Sequence, residues 1–282
     1  MNDPGYLPSA NLLSGEAKGK TMQKEYQRGF GPDQREGLFG FGLGWDSVDA
    51  YPYSQYNIQS LIKGGDTQLY HSSMIVLPEY NVAFVAVLSG GGSFFGQVMG
   101  QELILETLLA EKEIESILPP KEITEPVLSA MPSEKTQYQG LYANWDSIRE
   151  MRIGEDGKIT LSALSDADIP DEIYFYTVED VFVSEDGSKR LNFSEENNGK
   201  TYIWIKETIH VPNLGQTSTV SYKYEKIEPN IVDAATQAAW DERDGTQYFV
   251  MNENPHGQMY HAFDSICMKI SINEKLPGYV GD

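Results

Sequence analysis

The chain has 282 residues, 40% hydrophobic and 22% charged, which is a globular composition long enough for one large domain or two ordinary ones. Its formal net charge of −21 opposes phosphate backbones and anionic lipid alike, so nucleic acid and acidic membrane surfaces are disfavoured as partners, and the acidity reads as solubility. The single cysteine, Cys267, excludes an internal disulfide and a thiolate metal cluster, and no apolar run approaches the roughly 18 residues that a membrane-spanning helix needs.

Residues 1–36 are polar and weakly periodic, with a short helix expected between Thr21 and Arg28. Leu38 to Trp45 is apolar and glycine-spaced, which suits a strand that another backbone approaches closely. Gln59 to Lys63 and His71 to Leu77 read as strands. Pro78-Glu79-Tyr80-Asn81 is a turn signal, and Val82 to Leu88 is apolar throughout, the pattern of a strand buried on both faces. Gly90-Gly91-Gly92-Ser93 breaks the chain as a plain turn, since no Gly-Lys-Ser/Thr follows to make a phosphate loop. Phe95 to Glu115 carries a helical stripe of Val98, Leu103, Leu105, Leu108 and Leu109. Four prolines in 119–136 mark a linker.

From Gln137 the texture changes to short strands between turns. Gly154-Glu155-Asp156-Gly157, Glu185-Asp186-Gly187 and Glu196-Asn197-Asn198-Gly199 each separate apolar stretches, as hairpin turns do. Strands are expected at 149–153, 158–164, 173–183 with a break near 179–180, 189–193, 201–207 and 219–227, with further strands at 246–251 and 266–272. Val232 to Arg243 is the helical exception. The spacing fits a small antiparallel barrel or sandwich. Cys267, within an apolar strand, reads as a buried inert thiol.

The ordered set Gly42-Leu43-Gly44-Trp45, Lys63-Gly64-Gly65-Asp66-Thr67, Ser72 to Pro78 and Asn81 to Val85, followed by a helix, resembles the closing part of the serine β-lactamase and penicillin-binding-protein family, class C type. The resemblance covers roughly a hundred residues. It implies an α+β chain: 1–118 as the terminal strands and C-terminal helix of a β-lactamase-like domain, 119–136 as linker, and 137–282 as an accessory antiparallel β domain, barrel or lipocalin-like. It also implies a partial catalytic site. Lys63 would present its ammonium, Gly65 would leave room for substrate, and the Asp66 amide would donate to an oxyanion. Gly64 departs from the family's usual threonine.

The nucleophile is missing. Ser60-Leu61-Ile62-Lys63 spells Ser-x-x-Lys, but on a strand residues three apart face opposite sides, and Lys63 already belongs to the glycine strand. Tyr142-Ala143-Asn144 spells Tyr-x-Asn in the wrong chain order. The expectation is therefore a piece of a serine hydrolase acting on an amide or ester, inactive alone, whose parent enzyme takes a small-molecule or peptide substrate. The alternative is a non-catalytic ligand- or cell-wall-binding module. No metal or other cofactor is expected: His256 and His261 are five apart, and His71 and His210 stand alone. The resemblance favours an extracytoplasmic location. Exposed sheet edges in such a chain favour self-association.

Overall fold

Alternating burial organises the first sheet. The computed structural model describes residues 13–25, 40–145, 147–164, 169–252, 254, 256–257, 267–273 and 276–281. A short helix, α1 (Gly15–Thr21), is capped by the Ser14 hydroxyl and lies upstream of the expected 21–28, of which 26–28 fall outside the described residues. Strands β1 (Leu61–Asp66), β2 (Tyr70–Leu77) and β3 (Val82–Ser89) form an antiparallel sheet in that order. His71, Ser73, Ile75 and Leu77 of β2 are buried on one face, as the two-residue period requires. Helix α2 (Ser93–Ala110) covers that face and comes close enough that a Cβ on Gly100 would lie 2.4 Å from the Phe84 ring. Ile62, Ile75, Leu77, Ile104, Leu105 and Leu108 share the resulting core.

Two expectations fail here. Residues 40–45 form no strand, and 38–39 lie outside the described residues. The close approach to Gly42 exists, since a Cβ there would meet the Thr21 carbonyl at 2.6 Å, but Gly44 at φ +89° turns the backbone out of the extended region. Strand β3 is not buried on both faces. Its burial alternates, and Ala83, Val85, Val87 and Ser89 are exposed.

Consecutive hairpins build the second structure. Strands β4 (Gly140–Ala143), β5 (Ile148–Ile153), β6 (Lys158–Ala163), β7 (Glu172–Tyr176), β8 (Phe182–Ser184), β9 (Lys189–Glu195), β10 (Thr201–Val211) and β11 (Gly215–Ile227) close into an antiparallel barrel. The expected turn glycines Gly157, Gly187 and Gly199 have φ between +75° and +77°, a conformation that side chains with a Cβ resist. Inward residues, among them Tyr142, Met151, Leu161, Tyr174, Phe182, Leu191 and Ile203, fill the barrel. The barrel alternative is the correct one, and the chain is mostly β with few helices.

The chain divides into two compact units, 1–225 and 226–282. The second holds α3 (Ala234–Asp241), capped by Asp233, and the two-stranded pairs β12 (Gln247–Phe249) with β13 (Cys267–Lys269) and β14 (Ser271–Ile272) with β15 (Val280–Gly281). Cys267 is partly exposed rather than buried. His261 lies outside the described residues.

Candidate functional site

Strand alternation divides the three singled-out residues between two faces of β1. Ile62, Gly64 and Asp66 face α2, whereas Lys63 and Gly65 face the open side. The Lys63 ammonium pairs with Asp46 Oδ1 at 2.6 Å, and the Gly64 amide donates to Asp46 Oδ2 at 2.7 Å. One carboxylate from the preceding loop thus engages both the cation and the backbone of the strand.

Gly64 is glycine for a steric reason. A Cβ there would lie 2.9 Å from Ser93 Oγ and 3.0 Å from Gln97 Nε2, so the first turn of α2 occupies the space a threonine would need. At Gly65 a Cβ would meet Ser72 Oγ at 3.0 Å, across the ladder where these two residues pair.

Asp66 sits at the start of α2. Its carboxylate accepts from the Ser93 amide at 2.8 Å and the Ser93 hydroxyl at 2.7 Å, and lies 2.6 Å from His71 Nδ1. The Ser93 hydrogen bonds, and then the buried His71 imidazole, hold this carboxyl below its usual range. A serine, an aspartate and a histidine therefore meet, but the carboxylate is in the middle. The hydroxyl donates to Asp66 rather than to imidazole, so no base stands ready to take its proton. The arrangement satisfies an orphan amide of α2 and ties β1 to the helix.

Ser60 is fully buried, and its hydroxyl accepts from the Ala50 amide at 3.0 Å. Tyr142 points into the barrel and donates to the Tyr138 carbonyl. Among the described residues no group of three or more histidine, cysteine, aspartate or glutamate side chains is placed to hold a metal ion. Among the described residues no helix is long and apolar enough to cross a membrane.

Two recesses lie elsewhere. One, of about 420 Å³, lies between 121–124 and the outer surface of β8 to β10, over Trp204. Two of its charged residues are paired: Arg190 with Glu179, and Asp180 with Lys135 at 2.9 Å. The other, of about 390 Å³ and mostly apolar, lies in the second unit among Trp240, Ile272, Pro277, Tyr279 and Val280.

Sequence reasoning missed two residues of consequence. Asp46, in a loop 17 residues before Lys63, carries no local signal of its pairing. Arg149 does: it falls in the inward phase of an alternating strand.

No family model matches the chain, and no curated protein matches it. Among solved structures, one described as a crystal structure of SurE with D-Leu is 16% identical with a TM-score of 0.40, covering 77% of this chain and 44% of that one. A crystal structure of SurE is 16% identical with a TM-score of 0.37, covering 78% and 43%. The chain thus spans less than half the length of these structures.

These findings correct the family expectation. The matched structures bear the name SurE, not that of a β-lactamase or penicillin-binding protein, and no family model supplies the serine-hydrolase assignment. Lys63 is held by Asp46, and the Asp66 side chain caps a helix. The expectation of a β-lactamase-related hydrolase piece is therefore withdrawn, and its alternative, a ligand- or cell-wall-binding module, gains no support from the comparisons.

Proposed function

We propose that the chain acts through protein association, with the free edge of β3 as the surface on which a second copy adds. The supporting observation is β3 itself. It runs eight residues, Val-Ala-Phe-Val-Ala-Val-Leu-Ser, without a charge or a proline. Among the described residues it has a strand neighbour on one side only. Val85 is 63% exposed and Val87 is 73% exposed. Edge strands are ordinarily protected by lysine, proline, a bulge or a covering element, because their unpaired amides and carbonyls template further pairing. An antiparallel β3–β3 contact about a twofold axis would pair identical strands and join the two sheets into one.

Within this reading Lys63, Gly65 and Asp66 serve the sheet: Lys63 and Asp66 fix β1 through Asp46 and Ser93, and Gly65 keeps the open face low. The expected division is retained as part of the proposal, with 1–118 as the associating part, 119–136 as linker and 137–282 as the β part. The separate cores of the sheet and of the barrel favour it.

Light scattering on the purified chain is expected to give a dimer that tightens with added salt, because both copies carry −21. Val85→Lys with Val87→Lys should yield a monomer with nearly unchanged melting temperature, since both side chains are exposed. A monomeric wild type, or a double variant that still dimerises, rejects the proposal.

A further inference from the structure

The connection between the sheet and the barrel is anchored at both ends. On the sheet side, Ile114 and Ile117 pack against the core that α2 shares with the strands, and the Leu118 amide donates to the Tyr56 hydroxyl at 2.7 Å. On the barrel side, the anchoring begins at Lys121. Both of its backbone groups are taken by the side-chain amide of Gln216, at the start of β11. The Lys121 amide donates to Oε1 at 2.8 Å, and Nε2 donates to the Lys121 carbonyl at 2.9 Å. Further on, Thr124 lies on Gly187 so closely that a Cβ there would come 1.9 Å from the Thr124 carbonyl oxygen. The Val178 amide then donates to the Val127 carbonyl at 3.1 Å, the Ser129 amide donates to the Tyr176 carbonyl at 3.2 Å, and Met131 packs against the barrel core. Pro119 and Pro120 are all that stands between Leu118 and Lys121. Their rings fix φ, and neither carries an amide that would need a partner.

Gln216 also reaches the sheet side. It is 4% exposed, and its Oε1 accepts from the Tyr51 hydroxyl at 2.7 Å. The Tyr51 carbonyl in turn accepts from Gln101 Nε2 of α2 at 2.8 Å. The next residue of α2, Glu102, lies against Gly215, where a Cβ would come 2.4 Å from its Oε1, and its carboxylate accepts from the Gln216 backbone amide. One residue thus ties together the segment before β1, helix α2, the connection and β11. Domains of one chain that meet through polar groups ordinarily move against each other. Here the unanchored length is two residues, and both are stiff. We propose that the sheet and the barrel form one rigid body, oriented by the Pro119-Pro120 bridge and clamped by Gln216, so that the connection is a fixed strut and not a tether. A single copy suffices for this, whether or not β3 associates.

The test is pulsed dipolar spectroscopy on the full chain with Cys267→Ser and paired spin labels, diluted with unlabelled protein so that distances within one copy are read. Labels at Leu103→Cys and Val178→Cys, both exposed positions, span the junction, and labels at Val178→Cys and Asn197→Cys report on the barrel alone. The junction pair is expected to give a single distance, distributed no more broadly than that of the barrel pair. Gln216→Ala should broaden the junction distribution at least about twofold and leave the barrel pair unchanged, because it removes every side-chain hydrogen bond of the clamp. Pro119→Gly with Pro120→Gly frees the bridge and should broaden the junction less, since the clamp remains, and the combined variant should broaden it most. A junction pair broader than the barrel pair in the otherwise unaltered chain overturns the proposal, whatever the variants do. An unchanged junction distribution in folded Gln216→Ala overturns it, and so does a combined variant no broader than Gln216→Ala. Should Gln216→Ala not fold, Tyr51→Phe takes its place, and an unchanged junction distribution there overturns the proposal.

Discussion

Asp66 shows how one side chain can join three elements. Its carboxylate receives the first amide and the hydroxyl of α2 and lies against the His71 imidazole of β2, while its backbone belongs to β1. The Ser93 hydrogen bonds lower its pKa, so the stabilisation it supplies is complete above the unfolded carboxylate value of about 3.9 and is lost as pH falls through the lower folded value. Asp66→Ala should therefore cost about 1 kcal/mol at pH 7, the scale of a lost helix cap. The gap to wild type should close as the pH falls through the folded value of Asp66, and urea unfolding at pH 7 and in acid measures it. A constant gap would show that the carboxylate charge is not what matters. Neither this junction nor the Asp46–Lys63 pair was legible in the sequence, because each joins residues from separate segments whose approach only the fold decides. Arg149 was legible in principle, as a cation in phase with Met151 and Ile153.

At the scale of elements, local chemistry carried the reading furthest. The barrel hairpins followed from glycines that must take positive φ, whereas the α2 stripe was right only in part: Val98, Leu105 and Leu108 are buried, Leu103 is exposed, and Gly96, Gln97, Gly100, Gln101 and Ile104 complete the buried face. What failed was burial. A wholly apolar strand says that it tolerates two covered faces, not that it has them, and β3 has one. The same limit applied at 40–45, where glycines that permit close approach also permitted a turn. The glycines of α2 went unremarked, although they set how closely the helix lies on the sheet. Gly100 faces Phe84 and Ile75, and Gly96 faces Ser73. Gly100→Ala gains helix propensity of about 1 kcal/mol but forces a methyl against an aromatic ring. Net destabilisation of roughly 1–2 kcal/mol is expected, since overfilled cores commonly lose 1–3 kcal/mol. Chemical denaturation reads this directly, and a more stable variant would show that the helix can lift away at no cost.

For the whole molecule, charge is the dominant long-range term. Forty-two acidic residues against 21 basic ones make the folded chain repel itself, and salt screens that repulsion. Raising sodium chloride from about 10 mM to about 300 mM shortens the screening length from roughly 30 Å to below 10 Å. The melting temperature should rise by a few degrees, with Tm recorded by calorimetry. A fall would mean that ion pairs such as Lys63–Asp46 outweigh the net charge. Composition made this acidity plain, whereas the family resemblance, built on a short ordered set of residues, did not survive the comparisons.

The closed barrel also fixes an order of events. Seven of its strand pairings join neighbours in the chain, and one, β11 with β4, joins the last strand to the first. The neighbouring pairs each close a short loop and form early. The seam must gather strands separated by the whole barrel, and chain entropy opposes it most. Until that seam zips, the nascent barrel is a curled sheet with two open edges, in a chain whose other sheet already leaves β3 uncovered. The last step of folding is therefore also the step that removes the larger hazard of misassembly.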